Sequence, residues 1–346
     1  MVSIKKNINI ACLPVAGIGN PYQHLMIKGL NSDETIDAKS GVDDRFFGIL
    51  RTAIQLKPTY IHFDWITSFY YRRSLWMTFI SIPLFMIQIL IVKYIFNIKL
   101  VWTLHNIQPH DLKHRRIHSF CIQFFAKQSS WIRIFSEDSI ERAKQALKVK
   151  DKFVVCPEGS YVDDYKNTIS INDAKQKFNI KENDFVYLYL GFIKPYKGIE
   201  NLIENFNKLQ IKNKKLIIAG NVLNKNYFNE IYTENKNIQF VNRFIKNDEL
   251  QYFYKAADVV VLPFNKVENS GSVILAMGFK KVIVAPKMGV LLKRLINQKE
   301  FLYKEGELFQ KLEMVFKNKN TLIEIGEQNF EELKKYSWND FKNYYK

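Results

Sequence analysis

Acidic residues are scarce in this chain. Against 51 lysines and arginines it sets 34 aspartates and glutamates, for a formal net charge of +17. Cysteines are scarcer: Cys12, Cys121 and Cys156 stand far apart, are odd in number and form no CxxC pair. That excludes a disulfide framework and points to a reducing, cytosolic compartment. No Asp-x-Asp triplet is present, so the acidic pattern that holds a divalent cation is missing, and the adjacent pairs Asp43-Asp44 and Asp163-Asp164 read as solvated. His110, His114 and His118 recur every fourth residue, but no acidic or thiol ligand lies at useful spacing and Arg115 and Arg116 oppose a cation, so no metal is expected. The opening MVSIKKNINIACLPVAG breaks its short apolar run at Pro14, and no secretory signal is expected. Internal repeats, a low-complexity tail and a nucleic-acid-binding module are lacking, and the basic residues are dispersed. A nucleic-acid partner is therefore not expected. The polyanions left are phosphorylated ligands and anionic lipid, although part of the charge follows from a Lys/Ile/Asn-rich composition.

What is present is apolar material in short blocks. The 346 residues are 47% hydrophobic, enough to bury the cores of two ordinary domains. Continuous apolar, β-branched runs at 8–13, 59–63, 100–104, 131–135 and 152–156 alternate with helical patterns. After a polar join at 161–184 the runs resume at 185–190, 215–219, 238–240, 259–262 and 282–285. Hydrophobicity that is continuous rather than alternating suits parallel strands covered on both faces. The expected class is α/β: two doubly wound, Rossmann-like domains facing a cleft, with ligands at the carboxyl ends of the strands.

One run is longer. Residues 74–92, SLWMTFISIPLFMIQILIV, carry no charge, with Arg72 and Arg73 before them and Lys93 after. The length is near the minimum for a membrane span. Three states are open: a buried helix, a helix dipping into one leaflet beside a basic rim, and a true span.

Two loops suggest a phosphate site. In PFNKVENSGSVILAMG, an apolar strand is followed by Asn269, Ser270, Gly271 and Ser272 and then by an apolar run expected to be helical over 273–277. Free first-turn amides, small residues and hydroxyls there form a diphosphate cradle, while plain N-capping by serine is the alternative. In YLYLGFIKPYKGIENL, Lys194 and Lys197 lie between Gly191 and Gly198, a charge clamp or a solvated basic turn. His105 and Asp64 each end an apolar strand. His105 suits a general base or a ligand contact, or else a satisfied core histidine, and Asp64 suits a second polar group at the same end of the sheet or a structural role.

These segments carry a resemblance. Gly191 to Gly198, LIIAG, AADVVVLPF and SGSVILAMGFKKVIVAP resemble the donor domain of GT-B glycosyltransferases of the family 4 type. GIGNPYQHLMIKGL, IHFDWI and VWTLHNIQPHD resemble a bacterial branch of it that builds surface polysaccharides, and the late YSW fits a segment returning to the first domain. The resemblance implies an acceptor-binding domain over 1–165, a nucleotide-sugar domain over 180–330 and a returning helix over 331–346. It implies a metal-independent hexosyltransferase with no cofactor. The enzyme would take a sugar from a UDP- or GDP-sugar to a polyprenyl-diphosphate-linked saccharide. It would sit in the cytoplasm, peripheral on the anionic inner face of the plasma membrane. It assigns Lys194, Lys197, Asn269, Ser270, Gly271 and Ser272 to the donor, His105 and Asp64 to catalysis, and Gly17, Gly19, Asn106, His110 and Glu158 to the acceptor or cleft. Departures exist. Leu275 stands where the family's second glutamate does, the first falls on Val267 beside Glu268, and Phe192 replaces the usual arginine. They leave sugar contacts and stereochemistry open and keep an alternative, a catalytically weakened scaffold in an assembly complex.

Overall fold

The computed structural model of the chain describes residues 8–17, 21–107, 114–265 and 270–345. It resolves two compact units, Met1–Gly159 with Tyr336–Lys346, and Ser160–Lys335. The first contains strands β1 (Ile8–Leu13), β2 (Ile36–Ser40), β3 (Tyr60–Phe63), β4 (Lys99–Thr103), β5 (Trp131–Ile134) and β6 (Phe153–Val155). They form one sheet in the order β2-β1-β3-β4-β5-β6, parallel throughout. The second contains β7 (Phe185–Leu190), β8 (Lys214–Gly220), β9 (Ile238–Asn242), β10 (Val259–Val261), β11 (Val282–Pro286) and β12 (Leu302–Tyr303). Its order is β12-β11-β10-β7-β8-β9, again all parallel.

The α/β reading follows from burial. Every residue of β7 and β11 is buried, as a strand covered by helices on both faces must be. Two strands, β2 and β12, were not expected. Both lie at sheet edges, where the apolar signal fades: β2 reads IDAKS with its last two residues exposed, and β12 is two residues long. In each sheet the strand order reverses once, between β1 and β3 and between β7 and β10. Loops leaving the carboxyl ends at such a reversal diverge, and the gap they leave is where open parallel sheets bind ligands.

The C-terminal segment differs from the helix expected over 331–346. Residues 331–334 finish the α-helix Leu322–Lys334 of the second unit. The chain joins the first unit from Tyr336 and forms a 3-10 helix, Trp338–Tyr344. Its aromatic rings carry the packing. Phe341 meets His62 and Trp131, and Trp338 meets Tyr22 edge-on at 5.2 Å.

The uncharged run is an α-helix, Leu75–Leu90, extended by a π-helical turn, Ile91–Ile95. It is the crossover between β3 and β4, which are hydrogen-bonded neighbours, and it joins the first core through Phe85, Ile89 and Val92. A helix so packed on its own sheet does not cross a bilayer. Nor is it a buried helix, because Trp76, Phe79, Ile80, Ile87, Tyr94 and Ile95 are 53–74% exposed.

Candidate active site

In the first unit the reversal between β1 and β3 gathers a polar network. Asp64 follows β3 and its backbone N–H donates to Leu13 O at 2.8 Å. Its side chain is fully buried. Oδ1 lies 3.1 Å from His105 Nε2 and 3.5 Å from His62 Nε2, and Oδ2 accepts from Gln23 Nε2 at 3.2 Å. Burial alone would raise the Asp64 carboxyl. The His105 hydrogen bond and the adjacent His62 outweigh it and hold the group well below the usual carboxylate range. Asp64 is therefore an anion at neutral pH.

That anion selects the state of His105. With Nε2 directed at a carboxylate, the neutral ring carries its proton there and leaves the Nδ1 lone pair outward. Nδ1 has no hydrogen-bond partner among the described residues. The ring is held flat on Trp65 at 4.6 Å and meets the edge of Tyr22 at 4.8 Å, and its side chain stays 13% exposed. A buried carboxylate and an imidazole oriented by it are an arrangement suited to general-base chemistry. Asn106, next in the chain, is exposed. Gly17 is exposed too, and a Cβ there meets open space. Gly19, His110 and Asn269 lie outside the described residues.

Sequence reasoning missed the support of this dyad. His62 is wholly buried, between Tyr345 Oη and Thr103 Oγ1, and burial pushes its pKa down, with Asp64 opposing. Arg133 is a fully buried cation in β5. It donates to Cys156 O, Pro157 O and Tyr22 Oη at 2.7–2.9 Å and lies 4.3 Å from the Phe341 ring centre. Burial works against that charge, but Tyr22, Cys156 and Glu158 keep the pKa raised. Glu158, assigned above to the cleft, is thus a buried neighbour of Arg133. The signal was available: an arginine inside WIRIF must find partners or prevent folding. The identity of those partners was not. His118, by contrast, bonds Tyr70 Oη through Nδ1 at 2.7 Å and belongs to the packing. Asp44 accepts from the Phe46 and Phe47 amides and pairs with Arg51, so it is more than a solvated charge.

In the second unit the reversal between β7 and β10 gathers the two phosphate loops. Gly198 sits at φ 67°, and a Cβ there would fall 2.1 Å from Pro263 O, so glycine alone lets the β7 loop dock on the β10 loop. Lys197, at the end of the short 3-10 helix Pro195–Lys197, is placed with its Nζ 4.2 Å from the Phe264 ring centre. Burial, then the Lys194 charge, push its pKa down from 10.5 to about 8. Among the described residues it has no carboxylate or hydrogen-bond partner. Lys194 lies 5.7 Å from the Tyr196 ring centre.

The helix after β10 begins two residues earlier than expected and spans Gly271–Gly278. Ser270 takes the N-cap position in extended conformation but makes no side-chain capping bond, so simple capping does not account for it. Gly271 and Ser272 become the first helical residues, whose amides have no intrahelical acceptor. Ser272 Oγ lies 3.7 Å from where a Gly191 Cβ would be, so both loops share one mouth. A desolvated ammonium, free amides at the positive end of a helix and two hydroxyls form an anion site.

Residues 170–332 match the family described as "Glycosyl transferases group 1". The chain is 23% identical over 252 residues to a GDP-mannose:glycolipid 4-beta-D-mannosyltransferase of Xanthomonas campestris pv. campestris, a stretch covering 71% of this chain and 66% of that protein. It is 25% identical over 206 residues to a lipopolysaccharide 1,2-N-acetylglucosaminetransferase of Salmonella typhimurium, covering 56% and 50%. The matched stretches thus span less than two thirds of these relatives' own length. Among solved structures, Anabaena HepE in complex with UDP and glucose has a TM-score of 0.72 at 17% identity, covering 97% of this chain and 98% of that one. Sucrose-phosphate synthase from Thermosynechococcus elongatus gives 0.74 at 15%, covering 97% of each. Two all-parallel α/β units give the chain the fold of these solved structures, and its second unit resembles the group 1 glycosyl transferases over residues 170–332.

Proposed function

We propose that this glycosyltransferase moves a hexose-type sugar from a UDP- or GDP-sugar to a polyprenyl-diphosphate-linked saccharide in bacterial surface-polysaccharide synthesis. The observation that carries the reading is Lys197, a half-buried cation without a partner among the described residues, on the loop that shares its mouth with the free first-turn amides of Gly271 and Ser272. Charge grows on the diphosphate as the bond to the anomeric carbon breaks, and this group is poised to stabilise it. The protein thereby supplies the positive potential itself, which supports a reaction without a metal cofactor. At the other reactant, His105 Nδ1 takes the proton of the acceptor hydroxyl, the oxygen bonds to the anomeric carbon, and the nucleoside diphosphate leaves with its electron pair. Direct displacement of this kind inverts the anomeric centre. The activities of the mannosyl- and N-acetylglucosaminyltransferase relatives, on glycolipid and lipopolysaccharide, support a lipid-linked acceptor. The solvent-facing apolar helix supports a cytoplasmic enzyme peripheral on the inner, anionic face of the plasma membrane.

Thermal unfolding and calorimetry with UDP and with GDP, in chelator, test the donor half. Saturation at a hundredfold over Kd is expected to add about 2.7 kcal/mol of stability. Response to one nucleotide names the donor base. Lys197→Ala and the pair Ser270→Ala with Ser272→Ala are expected to weaken that response. An unchanged affinity in these variants, or no response to either nucleotide, rejects the site.

A further inference from the structure

The crossover helix carries its amphipathicity inside out. Its polar side chains Thr78, Ser81 and Gln88 are buried, each at 1–2% exposure. Gln88 donates to Phe46 O at 2.7 Å and accepts from Leu50 N at 3.1 Å, and Thr78 accepts from Arg72 N at 3.0 Å. The outward stripe is apolar. Trp76, Ile80, Pro83, Ile87, Leu90 and Tyr94 recur at intervals of three and four, and all are exposed. A helix on a water-facing surface shows the reverse arrangement. From Trp76 to Tyr94 the stripe runs about 27 Å at roughly 1.5 Å per residue. A tryptophan and a tyrosine mark its two ends, the residues that prefer the level of lipid headgroups.

Against the first turn of this helix lies a cavity of about 650 Å³, lined in part by Arg45, Arg72, Arg73 and Met77 and by no carboxylate. Arg72 is fixed. It donates to the carbonyls of Ser68, Phe69, Tyr71 and Arg45 and stacks over Phe46 at 4.7 Å. Burial, and then the charge of Arg45, hold its pKa below the ordinary value. Arg45 and Arg73 are exposed, and neither has an ion pair among the described residues.

We propose that this cavity is a phosphate site for the headgroup of an anionic phospholipid, in a bilayer whose interface receives the stripe of Trp76, Ile80, Ile87 and Tyr94. Charge complementarity carries the choice of occupant. Three guanidiniums without carboxylates, followed by an apolar stripe, repeat the order of a lipid itself, phosphate first and chains after. Planar guanidinium forks suit phosphate oxygens better than lysine does. The inference deepens the membrane part of the proposed function and rests on it; it does not depend on the donor chemistry.

The test uses the full chain, without nucleotide, and vesicles of phosphatidylcholine with and without phosphatidylglycerol. Binding to the anionic vesicles is expected, with a blue shift of tryptophan fluorescence that Trp76→Phe removes. Arg45→Ala with Arg73→Ala is expected to weaken binding by about thirtyfold, and Arg45→Lys with Arg73→Lys to weaken it too, because charge remains and the fork is lost. Lys212→Ala with Lys299→Ala, which removes two exposed charges elsewhere, is expected to change nothing. Arg72 is left intact because it holds backbone. Equal loss in the lysine control, or full affinity in the Arg→Lys pair, overturns the site in favour of diffuse attraction. Displacement by inorganic phosphate or pyrophosphate at equal concentration assigns the cavity to a soluble phosphate and overturns the lipid. Self-association without vesicle binding makes the stripe a protein interface and overturns it as well. Failure here leaves the UDP and GDP responses untouched, so the two readings fail separately.

Discussion

The two switch points share one plan and are finished in opposite ways. At the first, Asp64 takes hydrogen bonds from His105 and Gln23 and lies beside His62, while the Arg133 guanidinium is bonded to two carbonyls and a tyrosine. At the second, Lys197 has an aromatic ring beneath it and no anion beside it among the described residues, and the helix at Ser270 starts without a side-chain cap. A saturated network fixes a protonation state in advance of any substrate. An unsatisfied one leaves a place that only an incoming charge completes. The first arrangement suits a base and the second suits a leaving group, and the comparison says where each kind of damage must show.

The largest effect is expected from breaking the saturated site. Asp64→Asn keeps the shape but removes the anion that orients His105, and His105→Ala removes the base. Each is expected to lower the transfer rate by about 10² to 10⁴, the range for loss of a general base. Nucleotide affinity, measured by calorimetry, is expected to stay at the unmodified value. A parallel fall in nucleotide affinity would show that the two sites are not separable.

A second contrast lies between two glycines. Gly198 holds a left-handed backbone pressed on Pro263 O, whereas Gly17 faces open space. Gly198→Ala is expected to cost about 1–3 kcal/mol in urea unfolding and to take nucleotide binding with it, because the loop that carries Lys197 must move. Gly17→Ala is expected to stay within about 0.5 kcal/mol of the unmodified chain. Equal costs would mean that loop docking is not what builds the anion site.

How much of this was legible follows the same division. The open site was readable because its parts are local: Lys194, Lys197, Ser270 and Ser272 stand in two strand-to-helix loops, and their spacing to the strands is short. The saturated site was readable only at its rim. His105 and Asp64 end strands, but Arg133 finds Tyr22 across 111 positions and His62 finds Tyr345 across 283, and no local pattern encodes such pairs. The apolar helix shows a third kind of limit. Its composition was plain, yet the face it buries also carries Gln88 and Thr78, whose hydrogen bonds to backbone outside the helix no local pattern shows. Edge strands β2 and β12 escaped because half-covered or very short strands lack the continuous apolar run that marked the others.

The finest test of the comparison is pH. Lys197 titrates near 8 in the folded protein against an ordinary 10.5, with burial as the main cause. Between those values the unfolded chain holds more protons than the folded one, so this residue makes stability rise with pH there. A bound diphosphate acts in the other sense, because it favours the protonated ammonium and raises its pKa. Nucleotide affinity is therefore expected to be flat near pH 7 and to fall by up to about tenfold per unit above pH 8, where the terminal phosphate is already ionised. Lys281 is also pushed down to about 8 by burial, but it donates to Ala257 O. Lys197→Ala separates the two lysines, since it should leave affinity low and independent of pH over this window. Asp64, held far below neutral, adds no break of its own. A pH dependence that persists in Lys197→Ala would move the titrating cation away from the cradle and end the account of the second site as an open charge waiting for its partner.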